Sequence, residues 1–168
     1  MALSRPVTNQ QIGVFLALKE AGVGLNVDDF DSRLILQKSV YLLQSAKVHL
    51  GYQYRWYVRG PYCSALADDL FYLDGFNTDE KAELATYHLD AKSQSNIERI
   101  RGLFAQPQGD LARHLELLAS AMFLFVTRQS VPDDGEETAQ VLRNAGKDFD
   151  AKDVDRAVAE LRANGLIQ

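Results

Sequence analysis

One cysteine, three histidines and four prolines are all that the 168 residues contain of those types. A lone Cys63 excludes an internal disulfide, and His49, His88 and His114 lie too far apart to form the paired spacing of a structural zinc site. Neither a metal nor a cofactor is expected. Gly22 and Gly24 lack the third glycine of a dinucleotide fingerprint and follow a helical pattern, so they read as a helix stop and turn. The acids in "DDFD" lack the glycine and distal glutamate of a calcium loop and read as helix caps.

Long apolar runs are missing as well. The most apolar segment, Leu115 to Val126, follows Leu115 with Glu116 and falls short of the ~20 residues that a bilayer span requires. A core helix is expected there and no membrane association. With no basic stretch leading into an apolar run and cleavage site, a reducing, cytoplasmic setting is the expectation. Positive charge is in the minority, 18 Lys and Arg against 23 Asp and Glu, which excludes a surface coated for generic phosphate binding but permits a local basic patch. Residues 1–65 carry seven basic against four acidic side chains, and the rest of the chain is acidic.

What is present is mainly helical. Thr8 and Gln11 form a capping-box pattern ahead of Ile12, Phe15, Leu16 and Leu18. Asp28, Asp29 and Asp31 precede a second helix from about Ser32 to Ala46. Ser95 with Glu98 is read as the cap of a further helix, and Asp110 as the start of an apolar one ending near Arg128. Two more segments begin with acids and end at Gly146 and Gly165. No repeat or linker divides the chain. The expectation is a single domain over 1–168, mainly α: a compact multi-helix unit with a short β-ribbon, its N-terminal part compatible with a winged-helix-like arrangement.

The second helix is apolar nearly all round, which predicts a central position. Arg33, Gln37 and Gln44 share a narrow polar stripe on it, whereas Lys38 falls among Leu34, Tyr41 and Leu42. Asp69 falls on the apolar face of the next helix and Asp68 on the opposite side. The economical expectation is a structural ion pair of Asp69 with Lys38 or Arg33. Between these helices Tyr52, Tyr54, Trp56 and Val58 alternate with Gln53, Arg55, Tyr57 and Arg59, the period of a strand with one apolar face. Gly60 and Pro61 read as a corner, with Pro61 opening the following helix. Arg55, Tyr57 and Arg59, with the nearby Tyr62, are the candidate binding residues.

The stretches "RLILQKSVYLLQ" and "GYQYRWYVRGPYCSALADDLFYL", with the ending "DVDRAVAELRANGLI", resemble the YwgA-like family of small prokaryotic proteins. The pattern comprises Arg33, the Gln37-Lys38 pair, Tyr41-Leu42, the aromatic strand, and Gly60-Pro61-Tyr62 before Leu66, Asp69 and Leu70. A more distant similarity is to Panacea domains, the SocA-like antitoxin modules. Arg59 and Cys63 depart from the Tyr-like and Ser-like residues of that pattern, and no likeness extends over Asn77 to Gln129. The YwgA-like family implies no particular activity, and the Panacea resemblance implies a protein-binding or toxin-neutralising role. With the outward face of Arg55, Tyr57 and Arg59, the expectation is a non-enzymatic regulatory or protein-interaction module, antitoxin-like or defence-associated, with a protein partner or a homodimer. One alternative is a DNA-binding winged-helix-like regulator, for which nucleic acid is the partner. The other is an enzyme built around Cys63, Lys38 and Asp69, for which the sequence offers no assembled catalytic group.

Overall fold

The computed structural model of the protein describes residues 5–105 and 110–168. Thr8 and Gln11 exchange side-chain and backbone hydrogen bonds at the start of α1 (Asn9–Ala21), which ends at Gly22 with φ 74°. Only a residue without a Cβ adopts that left-handed conformation freely. Asp29 accepts from the Ser32 amide at 2.7 Å and opens α2 (Phe30–Ser45). The chain then forms a hairpin, β1 (Arg55–Tyr57) against β2 (Gly60–Tyr62), before α3 (Ser64–Asp74). Beyond it lie α4 (Thr78–Leu84), α5 (Ala91–Ile100) with a 3-10 turn over Arg101–Phe104, α6 (Leu111–Val126), α7 (Gly135–Asn144) and α8 (Ala151–Ala163).

Two local expectations are corrected. Asp90, not Ser95, caps α5: its carboxylate accepts from the Ser93 amide at 2.7 Å, leaving Ser95 a turn inside the helix. Ser95 and Glu98 have the letters of a capping box, but the chain is already helical where they stand. Pro61 does not begin α3. It pairs with Trp56 in the antiparallel register of the hairpin, and Cys63 occupies the cap position. Proline is tolerated in a short edge strand because its missing amide can face away from the ladder.

Helix α2 is central, as its composition requires. Leu34, Tyr41 and Leu42 are buried, together with Leu36, Val40 and Leu43. Its most extensive contact is with α6, while α1, α3, α5 and β2 pack on its other sides. Helix α6 in turn carries α8 and α7. Fully burying each of these aliphatic side chains contributes about 1.5–3 kcal/mol, so the α2–α6 contact is the main support on which the hairpin rests. Among the described residues, no helix is long and apolar enough to cross a membrane.

Candidate functional site: the hairpin and the hollow beside it

The polar stripe of α2 has a specific task. The Gln37 carboxamide donates to the Cys63 carbonyl at 2.8 Å and accepts from the Cys63 amide at 3.0 Å. Two turns along, Gln44 does the same for Tyr52, at 2.9 and 2.8 Å. One glutamine therefore holds the chain entering the hairpin and the other holds the chain leaving it. Burial makes the first clamp costly to lose, because Gln37 is only 4% exposed and water cannot replace its bonds. Between the clamps the Tyr54 hydroxyl donates to the Gln37 carbonyl at 2.8 Å, and the Tyr41, Tyr54, Trp56 and Phe123 rings form a chain of edge-to-face and tilted contacts at centroid distances of 5.0 to 6.2 Å.

Two buried lysines grip the hairpin from below. Lys38, 1% exposed, donates from Nζ to the Pro61 carbonyl at 2.7 Å. Lys147, in the loop after α7, donates to the Val58 carbonyl at 3.0 Å and lies 5.6 Å from the centre of the Trp56 ring. The buried Glu116 of α6 stands 3.5 Å from Lys147 and 3.9 Å from Arg59, at ion-pair rather than hydrogen-bond separation. Burial, reinforced by the Lys147 cation, brings the Lys38 amine down to about 7, and Glu116 offsets only part of that. Lys147 is lowered for the same first reason, burial, against the pull of Glu116. At the turn, Gly60 has φ 89°, and a Cβ there would fall 2.3 Å from Ser120 Oγ. Gly60 is therefore required both by its backbone angle and by the close approach to α6.

The opposite side of the hairpin is exposed. Tyr57 and Val58 are 62% and 69% accessible, and the Tyr57 ring lies 5.5 Å from that of Tyr62. Arg55 extends into solvent, while Arg59 stacks over Phe30 of α2 at 5.5 Å. Together with Phe30, Leu34, Leu70 and Phe71 this face borders a hollow of 540 Å³ between the hairpin, the first half of α2 and α3. Arg33, Lys38 and Arg59 are among its lining residues, and no Asp or Glu is. Three of the four candidate binding residues, Tyr57, Arg59 and Tyr62, thus meet at one site; Arg55 lies on the same strand outside the hollow.

The expected ion pair does not form. Asp69 is half-buried and accepts from the Tyr52 hydroxyl at 2.8 Å and from Gln11 Nε2 at 2.9 Å, while Lys38 turns to Pro61 and Arg33 donates to the Val27 carbonyl at 2.9 Å. Asp68 faces solvent as expected. A helical wheel gives the face but not the neighbour, and neutral donors from α1 and the hairpin base reach Asp69 first. Cys63, Lys38 and Asp69 accordingly do not converge: Cys63 is buried with its backbone held by Gln37, and the other two belong to separate networks. Glu116 and Lys147 escaped the sequence reading as partners. The signal on one side was Glu116, an acid set among the apolar residues Leu115, Leu117 and Leu118 of α6; nothing local marks Lys147 as its partner. Among the described residues no group of three His, Cys, Asp or Glu could hold a metal ion.

Comparison with protein-family models, curated proteins and solved structures finds no match for the chain.

Proposed function

We propose that the protein is a non-enzymatic interaction module whose contact surface is the outer side of the hairpin and the adjoining hollow. The observation that carries this reading is the distribution of exposed apolar side chains. Of the eight large apolar residues exposed among the described residues, five (Phe30, Tyr57, Val58, Tyr62 and Phe71) line this one hollow. Scattered exposed side chains are ordinary, but a cluster around a concavity is characteristic of a contact surface. The rigid floor of glutamine and lysine bonds supplies preorganisation, so little order has to be gained when a partner docks. An antitoxin-like or defence-associated setting is suggested by the resemblance to Panacea domains alone.

The test is a photo-cross-linking amino acid placed at Tyr57 or Phe71 and, as controls, at the exposed Tyr87 or Val126 away from the hollow. Discrete protein adducts from the first two positions and none from the controls are expected; a reversed pattern would sink the reading. A homodimer appears in the same experiment as an adduct of twice the chain mass. Salt-steep binding to duplex DNA that is lost in Arg55→Ala/Tyr57→Ala/Arg59→Ala, with no protein adduct, would install the DNA-binding alternative instead.

A further inference from the structure

The walls of the hollow are asymmetric in charge. They carry the guanidinium groups of Arg33 and Arg59 but no carboxylate, in a chain with a net charge of −5, while the Lys38 amine beneath them is taken up by the Pro61 carbonyl. Arg33 spends one guanidinium nitrogen on the Val27 carbonyl, and the Arg59 side chain remains 59% accessible with its Glu116 contact as long as 3.9 Å. Both therefore retain donors for an incoming carboxylate, which a guanidinium binds with charge-assisted, directional hydrogen bonds. An isologous dimer through this face would set these cations against their own copies, so charge argues for a different occupant.

We propose, building on the interaction reading above, that the hollow receives an acidic peptide segment, with apolar side chains filling the cavity and flanking carboxylates pairing with Arg33 and Arg59. A peptide fits better than a small carboxylate because the apolar surface extends beyond the cavity. Phe30 on α2, Phe71 on α3, and Tyr57 and Val58 on the hairpin are all more than half exposed and approach the hollow from three elements. A flat anionic membrane would leave the concavity unfilled and would meet an acidic protein.

The experiment is selection of short random peptides displayed on phage against the whole chain. Enriched sequences are then measured by fluorescence anisotropy at rising salt against wild type, Arg59→Gln and Phe71→Glu. Both substituted residues are largely exposed, and unfolding midpoints equal to wild type verify the fold. The expected result is enrichment of Asp and Glu next to aromatic or aliphatic anchors. Affinity should fall by about tenfold or more in Arg59→Gln and should weaken with salt. Peptides that need Phe71 but show no acid excess and no salt dependence would overturn this inference and leave the interaction reading standing. If no enriched peptide depends on Phe71, the peptide proposal fails; Phe71-dependent sedimentation with anionic vesicles would then assign the face to lipid.

Discussion

The two sides of the hairpin are built on opposite terms. Underneath, side chains from other elements hold the backbone at four residues: Pro61 by Lys38, Val58 by Lys147, Cys63 by Gln37 and, at the half-buried edge, Tyr52 by Gln44. Above, Tyr57, Val58, Arg55 and the nearby Phe71 are exposed and make few bonds that folding needs. The difference teaches that position is determined by the lower side and leaves the upper side available for recognition. Substitutions below should therefore change stability, and substitutions above should change binding.

The largest effect is expected at Gly60. Gly60→Val would combine a positive φ with a side chain driven into Ser120, costing on the order of 4 kcal/mol or preventing folding; the urea midpoint, or the yield of folded protein, checks this. Next is the clamp. Gln37→Ala orphans the buried Cys63 amide, while the Cys63 carbonyl keeps the Ala67 amide at 3.2 Å, and should cost about 2 kcal/mol, whereas Gln44→Ala, at a wetter position, should cost about 1 kcal/mol. Equal losses would remove the distinction between buried and half-buried clamps.

Protonation sharpens the comparison further. Lys38 is neutral in the folded protein above about pH 7 but stays protonated in the unfolded chain up to its ordinary value of 10.5, so in that window the unfolded state binds more protons. Stability should therefore rise from pH 7 towards 10, by up to about 1.4 kcal/mol per pH unit from this group. Above pH 10 it should fall again, because burial raises the Tyr41, Tyr52 and Tyr54 hydroxyls and keeps them protonated in the fold while unfolded tyrosines ionise. Lys38→Met should reduce the rise and keep the fall, a contrast readable from urea midpoints at pH 7, 9 and 11. The smallest effect on stability belongs to the upper side: Arg55→Ala with Tyr57→Ala should shift it by less than about 0.5 kcal/mol. A larger shift would mean that this side also supports the fold.

Legibility in the sequence follows the range of the interactions involved. The starts of α1, α2, α6 and α8 could be read because Thr8, Asp29, Asp110 and Asp150 each bond an amide three residues away. The period-two pattern reported the true faces from Tyr52 to Tyr57 but not at Val58, which was expected on the apolar face and is 69% exposed, because the chain already turns there between β1 and β2. Helix α4 was missed, although Asn77 and Glu80 form a capping box, because its seven residues carry too little apolar periodicity to announce it. At the site, the outward residues were legible and the floor was not. Gln37 and Gln44 stood out only as a polar stripe, and nothing local specifies that their partners are Cys63 and Tyr52. Lys38, Glu116 and Lys147 come from three separate parts of the chain, so only tertiary packing brings them together.

The paired carboxamides on α2 have one more consequence, for aggregation. A glutamine side chain ends in the same donor and acceptor as a peptide unit, so Gln37 and Gln44 offer the chain on either side of the hairpin what a neighbouring strand would offer. With both backbone groups of Tyr52 and Cys63 engaged in this way, the two-stranded ribbon cannot extend past its base, and the flanking chain has no unpaired amide at those residues to template another molecule. The helix thus acts as a stop for the sheet, and the protein can display an aromatic hairpin without also presenting a long adhesive edge.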